Sequence, residues 1–274
     1  MTGDRGRCLL LVHAHPDDEC LSTGGTIARY ADEGVHVVLV TCTNGEAGEI
    51  AAVPELGSRE EIASRLGEIR IGELKEACRR LGPVDLRLLG YHDSGMDGTP
   101  ENEAPQAFVN QDIDEVAARI AAIVDETKPD VLVTYNEIGF YGHPDHIRAH
   151  EATLAARVRA GHRARKLYFN AVPKSLLLGG REMASQLGVS PDDFFSLEEI
   201  ERIGSDDDVI TTAIDVAAYV DRKFHALEAH RTQLGTTEQY LRIPEDVRAL
   251  AMGAEYYVLA DGGRTGETDL FEGL

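Results

Sequence analysis

CLLLVHAHPDDECLSTGGTIARYADEGVHVVLVTC, residues 8–42, decides the fold. It opens on an unbroken apolar run, 8–14, of the kind shown by strands buried on both faces. A polar break follows, then 26–34, which has helical spacing and closes on glycine. A second apolar run, 35–42, completes the unit. Strand, helix and strand in so short a stretch form a βαβ unit, with parallel strands and a right-handed crossover.

The alternation continues down the chain. Ser58 and Glu61 have capping-box spacing and open a helix expected over 59–81, which closes at Gly82 and Pro83. A strand is expected at 84–90, and a loop rich in Asp, Gly, Pro and Asn at 90–110. Further expectations are a helix over 112–127, a strand at 130–135, a helix from Pro144 to 159 and a strand at 166–172. The pattern weakens over 173–205, where a second capping box at Ser196 marks a short helix. Then come a strand at 208–216, a helix at 217–234 and a last strand at 254–260. There is no internal repeat, low-complexity tract or linker. The reading is α/β: a mainly parallel sheet flanked by helices, one domain over 1–274, with 161–274 as a C-terminal elaboration that shapes substrate choice.

Composition bounds the function. The chain has 274 residues, 43% hydrophobic and 27% charged, which is the make-up of a globular protein. Its 27 basic and 48 acidic residues give a net charge of -21, so nucleic acid and anionic membrane surfaces are poor partners. The four cysteines lie far apart with no CxxC pair, and Cys8 and Cys42 fall in apolar runs as buried free thiols. No signal peptide and no apolar run long enough to span a bilayer is visible, so a cytoplasmic location is expected. The acidic tail from Gly263 is expected to fray. Self-association is left open.

In open α/β sheets ligands bind at the carboxyl ends of the strands. HPDDE, from His15, stands directly after the first strand, and YGHPDH, from Tyr141, follows the strand that ends at Tyr135. The two clusters therefore share an edge. His15 with Asp18, and His143 with His146, offer imidazole and carboxylate without thiolate. That donor set suits a catalytic Zn²⁺, with Fe²⁺ as the alternative, that keeps one position open for water. A further carboxylate beside the ligands can take the proton of an attacking water. Asp and Pro at such junctions also serve as helix caps, and Pro144 is expected at the first position of its helix. His13 is either a support behind the ligands or a hydrogen-bonded core residue. His150 is expected on the helix surface, and His36, His162, His225 and His230 have no evident partner.

At these clusters the chain resembles the PIG-L/LmbE-like family of zinc-dependent de-N-acetylases. HAHPDDE, TCTNGEAGE, EIRIGEL, DSGM and YGHPDHIRAH occur in the family's order within 1–160, with little resemblance visible beyond 161. The motifs are similar to those of the mycothiol-pathway deacetylases of N-acetylglucosaminyl-inositol and of mycothiol S-conjugate amidases. The resemblance implies a Rossmann-like domain that hydrolyses an amide, most simply an N-acetyl group on a glucosamine-containing small molecule. Its alternatives are a thiol conjugate or a natural-product intermediate.

The resemblance also implies residue roles. His15, Asp18 and His146 would be zinc ligands, Asp17 the general base, His143 the group that stabilises the tetrahedral intermediate or protonates the amine, and Tyr141 an oxyanion partner. Arg70 and Asp93 would hold sugar hydroxyls, and Glu49 would line the same pocket. Beside Glu68 and Glu73, Arg70 could equally form a surface salt bridge, and Asp93 could cap a turn. Asn136, Ile138 and Phe140 stand where mycothiol-type relatives have a more acidic, glycine-rich loop, so the resemblance does not fix the acceptor side of the substrate. A dinucleotide-binding module is the non-enzymatic rival, but STGGTIA supplies no GxGxxG.

Overall fold

The computed structural model describes residues 6–186, 190, 196–235, 241, 243–263 and 266–274. Its strands are β1 (Cys8–His13), β2 (His36–Thr43), β3 (Val84–Tyr91), β4 (Val131–Thr134), β5 (Lys166–Ala171), β6 (Thr212–Asp215) and β7 (Ala254–Leu259). They form one sheet in the order β3-β2-β1-β4-β5-β7-β6. The first five are parallel, and β7 runs antiparallel to both β5 and β6. The expected mainly parallel sheet is present.

Both faces of β1 are buried, which is why its sequence shows no polar alternation. Leu9 and Leu11 pack into an apolar cluster with Ile27, Tyr30 and Leu74 on one face. Leu10 and Val12 pack with Val116, Ile120 and Ala149 on the other. The covering helices are α1 (Asp18–Asp32), α2 (Arg59–Ala63), α3 (Leu66–Leu81), α4 (Ile113–Thr127), α5 (Gly139–Gly142), α6 (Pro144–Arg159), α7 (Lys174–Gln186), α8 (Leu197–Ile203), α9 (Val220–Leu227) and α10 (Glu245–Met252). Strand order reverses between β1 and β4, where Leu9 pairs with Val131, since β2 and β3 extend the sheet on the other side of β1. That reversal is the crevice where such sheets bind ligands.

Several elements differ from the sequence expectation. α1 begins at Asp18 rather than near Thr26, because tertiary contacts hold the weak Ser22–Gly25 stretch helical. Glu255 accepts from the backbone N–H groups of Gly25 and Thr26 at 2.9 and 2.7 Å, and a Cβ on Gly25 would meet Val216 at 2.6 Å. The helix expected over 59–81 breaks at Arg65, whose φ of -132° is not helical. Both capping boxes, at Ser58 and Ser196, are formed. The weak stretch contains α7, while 187–189 and 191–195 lie outside the described residues. The helix expected over 217–234 is α only over Val220–Leu227.

The tail does not fray: Leu270 and Phe271 are buried, and Tyr30 Oη accepts from Leu270 N at 2.8 Å. Two apolar side chains outweigh the acidic composition around them. All four cysteines are buried and free. Among the described residues no helix is long and apolar enough to cross a membrane.

Leu270→Ala should lower the unfolding free energy by about 2–5 kcal/mol, since it empties a fully buried site. Urea unfolding checks this, and an unchanged midpoint would mean the tail is not docked in solution.

Candidate metal centre and active site

The chain leaves β1 at His13 and turns into α1 through Ala14, His15, Pro16 and Asp17. Asp17 makes the turn with φ 118°, a region that strains a non-glycine residue by about 1–3 kcal/mol. On the neighbouring strand the chain passes Tyr135 and enters a tight turn in which Gly139, Phe140 and Gly142 all have positive φ. His143 caps α6, its Nδ1 accepting from Asp145 N at 3.1 Å, and Pro144 takes the first helical position as expected. His146 stands in the first turn of that helix.

Tyr135 ties the two strand ends together. Its Oη accepts from Ala14 N at 2.8 Å and donates to Asp18 Oδ2 at 2.7 Å. Asp18 Oδ2 also accepts from His15 N at 2.8 Å. His13 is buried behind this clamp, 3.3 Å from Tyr135 Oη and 3.0 Å from Thr23 Oγ1, so it is both a core residue and a support for the site. His150 is buried rather than on the surface, with Nδ1 2.8 Å from Tyr135 O.

The expected ligands converge. His15 Nδ1 lies 3.2 Å from His146 Nε2. Asp18 completes the triangle, its Oδ2 3.5 Å from His15 Nδ1 and its Oδ1 3.4 Å from His146 Nε2. Tetrahedral bonds of about 2.0–2.2 Å imply ligand-to-ligand edges of roughly 3.3–3.6 Å, so the two imidazole nitrogens, each with one Asp18 oxygen facing it, have the spacing of such a site. His15 Nε2 is engaged by Asp145 Oδ2 at 3.1 Å, which leaves Nδ1 with its lone pair toward His146. Two facing imidazole nitrogens at this separation need either a proton or a metal cation between them. His143 is close as well, its ring centroid 4.5 Å from that of His15, and the three histidines can offer ligand atoms within 4.8 Å of one another.

The local field favours positive charge. Burial works against a charged His15, but Asp93, Asp145 and Asp18 outweigh it and hold its pKa well above the usual imidazole value. Burial pushes the Asp17 carboxyl up to about 6, with Arg70 opposing and Asp18 adding to the shift. Burial, helped by His15 and His146, drives His143 down to about 3. It also keeps the Tyr141 phenol protonated by raising its pKa.

The remaining expectations divide. Arg70 is buried and makes no surface salt bridge: Nη2 donates to Pro16 O at 2.6 Å and reaches Asp17 Oδ2 at 3.1 Å, and Nη1 donates to Gly45 O at 2.8 Å. Gly45 is required there, because a Cβ would come within 2.4 Å of Nη1. Asp93 caps its own turn, accepting from Gly95 N at 2.8 Å, and also borders the site, 3.6 Å from His15 Nε2 and 3.9 Å from Arg70 Nη1. Tyr141 is half-buried, with its ring centroid 4.9 Å from that of His146. Glu49 is exposed, and its carbonyl rather than its carboxylate is used, accepting from Gln233 Nε2.

Three participants escaped the sequence reading. Asp145 was in plain view between His143 and His146, and it also accepts from Ser94 N at 2.9 Å. Tyr135, a hydroxyl-bearing aromatic at the carboxyl end of a buried strand, was a weaker signal. His230 gave none: its Nε2 lies 2.7 Å from Glu19 Oε1, across most of the chain. His36, His162 and His225 likewise have partners, in Asp85, Pro129 O and Glu228.

The family model described as GlcNAc-PI de-N-acetylase, PIG-L, matches residues 10–157. The chain belongs to the PIG-L family. A curated relative from Thermomonospora curvata, 1D-myo-inositol 2-acetamido-2-deoxy-alpha-D-glucopyranoside deacetylase, is 44% identical, covering 99% of this chain and 98% of its own. The similarity therefore runs through the C-terminal part, where the sequence reading saw little. Among solved structures, a 4-carboxy-2-hydroxymuconate hydratase from Pseudomonas putida has a TM-score of 0.63 at 18% identity, covering 96% of this chain and 99% of that one. An N,N'-diacetylchitobiose deacetylase from Pyrococcus horikoshii has a TM-score of 0.56 at 20% identity, covering 92% and 83%. A hydratase and a deacetylase on one fold show that architecture does not choose the reaction. The close relative does: this PIG-L member is an enzyme of the amide-hydrolysing kind, not a dinucleotide-binding module.

Tyr135→Phe should weaken affinity for a divalent metal by roughly 10- to 100-fold while the protein stays folded, because Asp18 loses the hydroxyl that orients it. Chelator competition measures this. Unchanged affinity would separate Tyr135 from the metal centre.

Proposed function

We propose that this protein removes the N-acetyl group from a glucosaminyl-inositol, the substrate named for its relative, at a Zn²⁺ centre held by His15, Asp18 and His146. The observation that carries the reading is the convergence of three donor side chains, His15, Asp18 and His146, with a further carboxylate, Asp17, beside them. When bound, the ion supplies Lewis acidity, lowering the pKa of water and polarising a carbonyl.

The residues of the chain do the rest. Asp17 Oδ2 is committed to Arg70, so Oδ1 receives the proton of the attacking water and passes it to the departing amine nitrogen. His143 accepts a backbone N–H at Nδ1, which fixes the neutral tautomer with its proton on Nε2. That N–H, with the protonated phenol of Tyr141, donates to the oxygen on which charge develops. With His143 donating its Nε2–H to the developing oxyanion, the proton taken up by Asp17 is the one assigned to the amine. Arg70 holds the base and the turn around it, and Asp93 borders the place a sugar hydroxyl would occupy.

Acetate and free amine released from N-acetylglucosaminyl-inositol by the Zn²⁺-loaded protein test the reading. Turnover is expected, and Asp17→Asn should lower kcat by at least ~10²-fold with metal retained. A mycothiol S-conjugate or free N-acetylglucosamine turned over in its place would overturn the substrate. No turnover of any of the three would overturn the deacetylase assignment.

A further inference from the structure

Residues 230–233, HRTQ, leave the end of α9 and dock against the catalytic turns instead of continuing a helix. His230 Nε2 meets Glu19 Oε1 at 2.7 Å. Thr232 donates to Glu73 from its backbone N–H at 2.9 Å and from its hydroxyl at 2.7 Å, while its carbonyl accepts from Ala51 N at 2.8 Å. Gln233 Nε2 donates to Glu49 O at 2.8 Å. Three of four consecutive residues thus hold the first turn of α1, the middle of α3 and the loop that follows β2.

The contact at Glu19 bears on chemistry. Glu19 Oε2 accepts from the backbone N–H of Asp17 at 2.9 Å, so one carboxylate joins His230 to the strained residue beside the metal ligands. Glu19 is fully buried, and so is His230. A carboxylate there stays ionised and in place only if it is paired. Without His230, its Oε1 keeps only the weak thiol donor Cys20 Sγ at 3.0 Å. Arg70 secures the Asp17 side chain, and Glu19 secures its backbone at φ 118°.

We propose that His230 and Glu19 are a positioning pair that holds Asp17 in the conformation from which it handles the proton. The inference rests on Asp17 being the base, as argued above. It gives the C-terminal part of the chain a role in the reaction step itself, apart from any role in substrate choice. Neither residue touches substrate; both act through the backbone of Asp17.

His230→Ala and His230→Gln, each alone and combined with Asp17→Asn, test the pair in the full-length Zn²⁺-loaded enzyme. The readouts are kcat, KM, zinc content and melting temperature. His230→Ala should lower kcat ~10- to 100-fold with KM and zinc content little changed, as expected when a reacting group is displaced by a fraction of an ångström to an ångström. His230→Gln, whose amide can still donate to Glu19, should recover most of kcat. In the Asp17→Asn background, His230→Ala should cause no further loss.

An equal loss in both backgrounds, a loss of zinc, or an unchanged kcat in His230→Ala would overturn the pair. If His230→Ala does not fold, the comparison of His230→Gln with its Asp17→Asn double variant decides by the same rule. Asp17→Asn alone leaving kcat intact would overturn the base assignment, a failure visible before any change at His230.

Discussion

The parallel pairing of β1 with β4 is the constraint on which the rest depends. Leu9, Leu10 and Leu11 lie opposite Val131, Leu132 and Val133. Their burial on both faces fixes a register that brings the chain out at the same edge after both strands, with Ala14 within reach of the Tyr135 hydroxyl. A one-residue slip would reverse every side chain on the strand and place leucines where the opposite face is already filled. From that register a single hydroxyl, Tyr135 Oη, takes the N–H of one strand end and donates to the carboxylate of Asp18. His15, Asp18 and His146 inherit their positions from strand and helix geometry rather than from a flexible loop, which is how a site is held to a fraction of an ångström.

Electrostatics then sets what the crevice accepts. Asp18, Asp93 and Asp145 surround His15, and the imidazoles of His143 and His146 adjoin it. Burying such a group of acids is costly unless a positive charge joins them. The chain places Arg70 on the Asp17 side, and the His15, Asp18 and His146 donors on the other side suit a divalent ion. Asp17 and Asp18 are therefore neighbours in sequence with different environments. Asp18 is held well below the usual carboxylate range, burial opposing and His146 and His15 prevailing, whereas Asp17 is pushed up. Two adjacent aspartates thereby serve different ends.

Much of this was legible in the sequence because it is local. Buried parallel strands announce themselves as apolar runs, and polar residues directly after them land at the ligand-binding edge, so both clusters could be placed from residues 8–42 and 130–146 alone. What the sequence hid depends on contacts between distant segments. Gly24 and Gly25 look like a helix break but sit inside α1, because Glu255 and Val216 define that surface. Arg70 looks like one half of an i,i+3 ion pair but is buried under Pro16 and Gly45. His230 looks like one more residue of the helix expected over 217–234. Its partner Glu19 lies in the motif that opens the chain, and no periodicity links the two.

The most direct test of the central claim is anomalous diffraction at the zinc edge from crystals of the Zn²⁺-loaded protein. The account predicts one strong peak per chain, bonded to His15 Nδ1, an oxygen of Asp18 and His146 Nε2. A peak elsewhere, or none at the His15–Asp18–His146 triangle in fully loaded protein, would contradict it.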